Sequence, residues 1–186
     1  MRYYSIHAFI EVTWKSLDPK VWISESEELS LPSNRKLFMS LSNGIAVDES
    51  QSNNPFHYYP NGKVASKHQA RGIPTQIGVN YSTKICSRII EDDDIKNYNP
   101  LDKEDSVVLR SSIEKYNMKF MPGDNTRAIE PHFFDFSWLS YNELKNIIVD
   151  ADIDVIVNGE HYNKLLEKME KLEKEGLETR LVFCFS

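Results

Sequence analysis

The chain has 186 residues, 40% of them hydrophobic and 11% aromatic, with a formal net charge of −6. That is enough apolar material for one core of ordinary size, so a single globular domain over residues 1–186 is expected. No apolar run approaches the roughly 20 residues that span a bilayer, and the acidic total opposes phosphate backbones, so neither a membrane nor a nucleic acid is an expected partner.

The opening MRYYSIHAFIEV places a histidine and a glutamate where a signal peptide needs an apolar centre, which favours the cytoplasm. Residues 2–14 alternate. Tyr4, Ile6, Ala8, Ile10, Val12 and Trp14 form one apolar face, and His7, Phe9, Glu11 and Thr13 lie on the other, as in a strand. VWISESEELSL, residues 21–31, reads as a second, more exposed strand after the Asp18-Pro19 turn. Ser33 or Asn34 can cap a short helix through RKLFMSLSNG, and its first turn carries Arg35 and Lys36, the wrong sign for the helix dipole.

From Ile45 to Pro74 the chain is polar and aperiodic, and loops of this length usually carry function or are disordered. Helical spacing returns in STKICSRIIED, with Ile85, Cys86 and Ile89 facing inward and Ser82 as cap. The run Asp92-Asp93-Asp94 reads as a solvated loop, because adjacent carboxylates diverge where a metal needs them to converge. SVVLRSSIEKYNMKF fits a helix or a hairpin equally. Ser140 and Glu143 form an S-x-x-E capping box opening a helix with Leu144, Ile147 and Ile148 on its inner face. DIDVIV reads as a short strand. A longer amphipathic helix follows, carrying Tyr162, Leu165, Met169 and Leu172 and ending at Gly176. The closing TRLVFCFS is almost wholly apolar, as a strand in the middle of a sheet should be, and is expected beside the N-terminal strand. The fold class is α+β: an antiparallel or mixed sheet including both terminal strands, with about four helices packed on it.

Charge is unevenly placed. From Ser50 to Ile90 the chain holds Lys63, Lys67, Arg71, Lys84 and Arg88 and no acid, so this segment carries +5 and the remainder −11. Such a local excess in an acidic protein points to an anionic partner of limited size. Cys86 and Cys184 lack a CxxC partner and read as buried thiols. His57, His68, His132 and His161 show no metal-ligand spacing, so neither a metal nor another cofactor is expected.

Several motifs occur in a recognisable order: a His-containing first strand, Asn34-Arg35 with Leu37-Phe38, Arg71 to Pro74, Ser137 to Leu139 followed by Glu143-Leu144, and Arg180 to Phe185. In this order they resemble a widespread, largely uncharacterised family of small proteins encoded by bacteriophages and prophages. Members of that family often have Asp-Ile-His where this chain has Ser5-Ile6-His7, and tend to carry histidines directly before Ser-Trp-Leu, where here His132 stands five residues upstream of Ser137. The resemblance implies a phage origin and an accessory role in the cytoplasm of an infected bacterium, without an established chemistry.

Four regions supply the candidate ligand-binding residues. They are His7 on the first strand, Asn34 and Arg35 at a helix start, Tyr58, Tyr59, Lys67, His68 and Arg71 in the long loop, and His132 with Trp138. Arginine and free helix amides suit a phosphate, and aromatic rings suit a base, so the ligand class is a nucleotide. No Walker loop, dinucleotide turn or nucleophile elbow is present, and no residue is assigned a catalytic role. Three functions remain in view. The first is a counter-defence protein that sequesters a nucleotide immune signal. The second is a phosphoesterase using His7 and His132, and the third an inhibitor docking its acidic surface on a host protein. Homo-oligomerisation is compatible with each.

Overall fold

A computed structural model describes residues 5–32, 70–99, 106–150 and 159–186. The candidates Asn34, Arg35, Tyr58, Tyr59, Lys67 and His68, the RKLFMSLSNG helix and the DIDVIV strand lie outside the described residues. The described elements run in the order β1 (Ile6–Trp14), β2 (Ile23–Ser24), α1 (Val79–Ile85), β3 (Cys86–Ile90), a 3₁₀ helix (Asp92–Asn97), β4 (Val107–Leu109), α2 (Arg110–Lys115), β5 (Phe120–Met121), β6 (Asp124–Ile129), β7 (Phe134–Ser140), α3 (Tyr141–Asp150), α4 (Gly159–Lys174) and β8 (Leu177–Phe185). They form two four-stranded sheets, ordered β2-β1-β8-β7 and β4-β3-β6-β5, and the class is α+β. Among the described residues no helix is long and apolar enough to cross a membrane.

The two terminal strands pair antiparallel along their whole lengths, from Ile6 opposite Phe185 to Trp14 opposite Leu177. β8 is buried from Thr179 to Phe185 because both faces of this sheet are covered. On one face Ala8, Ile10, Val12, Leu181, Phe183 and Phe185 meet the inner sides of α3 and α4. Those helices bury Leu144, Ile147 and Ile148, and Tyr162, Leu165, Met169 and Leu172, at the spacing that puts side chains on one helical stripe. On the other face Phe9, Val182 and Cys184 meet Tyr81 and Ile85 of α1, Cys86 and Met121 of the second sheet, and Phe133. Trp14, grouped by alternation with the apolar face, is 58% exposed at the strand's end.

Three local expectations are corrected. STKICSRIIED is helical only through Ile85, where α1 ends; Cys86 to Ile90 form β3, paired with β6 and parallel to β4. Cys86 and Ile90 are buried at the two-residue period while Ile89 is only half-buried, and the long-range pairing selects the strand. Ser82 lies inside α1, whose cap is Gly78. Gly78 has no room for a side chain. A Cβ there would come within 2.7 Å of the Ser24 amide nitrogen and 2.8 Å of a Glu11 carboxylate oxygen. In the second strand-like stretch, only Ile23 and Ser24 pair as a strand, and SVVLRSSIEKYNMKF resolves into β4, α2 and the start of β5.

Glu11 is the buried exception in β1. It is fully buried opposite Arg180, itself 5% exposed, whose Nε and Nη2 donate to Glu11 Oε1 at 3.0 and 2.7 Å. Gly78 N–H donates to the other Glu11 oxygen, Arg180 Nη2 also donates to the Gln76 carbonyl at 2.6 Å, and the guanidinium stacks 4.2 Å from the Trp22 ring centre. A buried charge survives only when its partners are this complete.

Residues 71–76 cross the face of the first sheet from one edge to the other. At the β7 edge, Gly72 N–H donates to Phe136 O at 2.8 Å and Arg71 N–H to Ser137 Oγ at 3.1 Å. At the β2 edge, the Gln76 side chain accepts from Trp22 N–H at 2.5 Å and donates to Trp22 O at 2.7 Å, imitating a strand partner. Ile73 and Ile77 pack onto the core beneath.

Candidate functional site

The left-handed φ of Gly72, +81°, turns the chain so that Arg71 lies over β7. Its guanidinium stacks 4.4 Å from the Trp138 ring centre, donates from Nη1 to Trp138 O at 3.2 Å, and bonds through Nη2 to Glu143. Glu143 is also the last residue of the capping box, accepting from Ser140 Oγ at 3.1 Å while its own amide donates back to that hydroxyl at 3.3 Å. Arg71 therefore ties its loop to the start of α3. Trp138 stands at the margin of the second core with one ring face against that guanidinium.

His7 and His132 flank one aromatic ring. His7 meets Phe133 edge-on with centroids 5.2 Å apart, and His132 lies 4.0 Å from it at a 40° tilt. The chain reaches this ring through a bulge in β7 between Phe134 and Ser137, where Asp135 takes a left-handed φ of +51°. His7 also bonds through Nδ1 to Glu28 at 2.5 Å and through Nε2 to Ser186 Oγ at 2.7 Å. Lys84 approaches the second Glu28 oxygen at 2.9 Å. Burial pushes the Glu28 carboxyl up, but the bonds and charges of Lys84 and His7 outweigh it and hold the group below the ordinary glutamate value. So His7, His132, Arg71 and Trp138 all lie on or beside one face of the first sheet, in two clusters. Glu28 and Ser186 were invisible to sequence reasoning, being 21 and 179 residues from His7.

A third cluster surrounds Arg88 on β3. The strand and the 3₁₀ helix after it enclose an open cleft of about 330 Å³ walled by Arg88, Glu91, Asp94, Asn97 and Tyr98. Arg88 Nη2 is buried and has no hydrogen-bond partner among the described residues. Leaving a buried charged donor unpaired costs at least about 1–3 kcal/mol, which marks a position where an acceptor is missing. The acid-free segment was the available signal for Arg88. Of the three described cations in it, Arg71 faces Glu143 and Lys84 faces Glu28, whereas Arg88 keeps a donor to spare. Among the described residues no group of histidine, cysteine and acidic side chains could hold a metal ion.

The thiols are inert by environment. Burial pushes Cys86 up to about 11 and Cys184 up to about 12, from an ordinary 9.0. At pH 8 a disulfide reagent such as dithiobis-nitrobenzoate should modify neither in the folded protein and both after denaturation. Because folding raises these values, their contribution to stability is full below pH 9 and is lost as pH climbs through 11 to 12, which alkaline titration followed by circular dichroism would record.

No protein-family model, no curated protein and no solved structure matches this chain.

Proposed function

We propose that this protein binds and sequesters a small anionic molecule of the nucleotide class. On the resemblance of its motifs, it does so for a phage inside an infected bacterium, withdrawing an immune signal without converting it. The observation that carries this reading is Arg88, which lines a cleft of ligand size and whose buried Nη2 has no acceptor among the described residues. A phosphate oxygen would supply that acceptor. Arg110 draws off Glu91, donating to it at 3.0 and 2.9 Å from Nε and Nη2. Asp94 and Asn97 then suit the amino and ring N–H groups of a base, and Tyr98 offers a stacking face.

Purified protein mixed with a panel of mononucleotides, cyclic nucleotides and ADP-ribose should show a raised melting temperature with at least one of them. Heat release should return that compound unchanged by chromatography, and Arg88→Met should lose the shift. No shift with any member would discard the reading. Recovery of a cleaved product lost in His7→Ala or His132→Ala would favour the phosphoesterase, and stable capture of a host protein without a small molecule would favour the inhibitor.

A further inference from the structure

We propose that Ser186, His7 and Glu28 form a nucleophilic relay that cleaves small carboxylic esters, at a place separate from the Arg88 cleft. The ionised Glu28 carboxylate can only accept, so its 2.5 Å bond fixes the proton on His7 Nδ1. In the neutral imidazole, that leaves the Nε2 lone pair to accept the Ser186 hydroxyl at 2.7 Å. Nucleophile, base and orienting carboxylate thus stand in the order that activates a serine, each within hydrogen-bond reach of the next. The parts are held in place. Ser186 and Ser5 exchange backbone hydrogen bonds of 3.1 Å in both directions, Lys84 fixes the far oxygen of Glu28, and the edge of the Phe133 contact fixes the imidazole plane. His7 is 14% exposed, so the group is reachable from solvent.

The chemistry balances with water as the only co-reactant. Ser186 Oγ bonds to the ester carbonyl carbon as its proton passes to His7 Nε2. The carbon–alkoxy bond then breaks, and the alcohol leaves with that proton. Water next attacks the acyl carbon, giving a proton to Nε2. The bond to Oγ breaks, the acid departs, and Ser186 recovers its hydrogen. A neutral substrate fits better than a phosphodiester, because the Glu28 charge and the Phe133 ring border the base His7, and Lys84 is already matched to Glu28. Ser186 N–H, which could otherwise steady the oxyanion, is committed to Ser5 O. The acceleration expected is therefore the share of a general base, on the order of 10²–10⁴ over the uncatalysed rate.

Two measurements test this on the full chain. A fluorophosphonate should form an adduct located on Ser186 by peptide mass spectrometry, slowed at least tenfold in His7→Gln. Hydrolysis of p-nitrophenyl acetate should fall about 10² or more in Ser186→Ala, a change that removes one oxygen and preserves the fold even if His7 variants do not. Glu28→Gln should lower kcat with little change in KM, the signature of a positioning residue acting through the base. An undiminished rate in Ser186→Ala, or no adduct on Ser186 in folded protein, overturns the relay.

Discussion

Glu11→Ala should lower stability by about 3–5 kcal/mol, seen as a fall in the urea midpoint without a change in slope. The variant strips Arg180, 5% exposed, of the carboxylate that its Nε and Nη2 both bond, and it also orphans the Gly78 amide. Neither loss can be repaired by water at a site this buried. The double variant Glu11→Met with Arg180→Met removes both charges together, and replacing a whole buried pair by apolar side chains is often neutral or better. It should therefore recover most of what the single change loses. A cost below about 1 kcal/mol for Glu11→Ala would mean that the pair behaves as an exposed one.

Phe183→Ala is the second large effect, at about 3–5 kcal/mol in the same denaturation assay. Phe183 lies in the central strand of the first sheet, is fully buried against α3 and α4, and packs edge-on to Phe185 with centroids 5.9 Å apart. The neighbouring strands β1 and β7 are hydrogen-bonded to β8 on both sides, so the backbone cannot close in on the space left. Phe183→Leu keeps most of the volume and should lose much less, which separates the cavity from any effect on the Tyr81 hydroxyl, bonded to the Phe183 carbonyl at 3.0 Å.

What was legible in the sequence follows the range of the forces involved. β8 announced itself as a central strand because both its faces are apolar, and its pairing with β1 is observed over nine residue pairs. The capping box at Ser140 and Glu143 was legible because its two members are three residues apart and bond to each other. The junction of α1 and β3 was misread, since Ile85, Cys86 and Ile89 satisfy a helical stripe and only pairing with β6, some 40 residues later, decides otherwise. Arg71 was singled out by its neighbourhood, yet its partner Glu143 stands 72 residues away, and no local pattern could name it. The same holds for Arg88, whose interest lies in a bond it does not make.

The strap formed by residues 71–76 has a consequence for how this molecule meets its own copies. Sheet edges are adhesive, because unpaired N–H and C=O groups accept any passing strand. The first sheet has two such edges, and three strand spacings of about 4.8 Å, roughly 14 Å, separate them. One short segment reaches both, occupying Phe136 O at one rim and both polar groups of Trp22 at the other. The two rims are therefore guarded jointly. A single detachment of the segment would free both sets of groups at once, an acceptor at the β7 rim and a donor with an acceptor at the β2 rim.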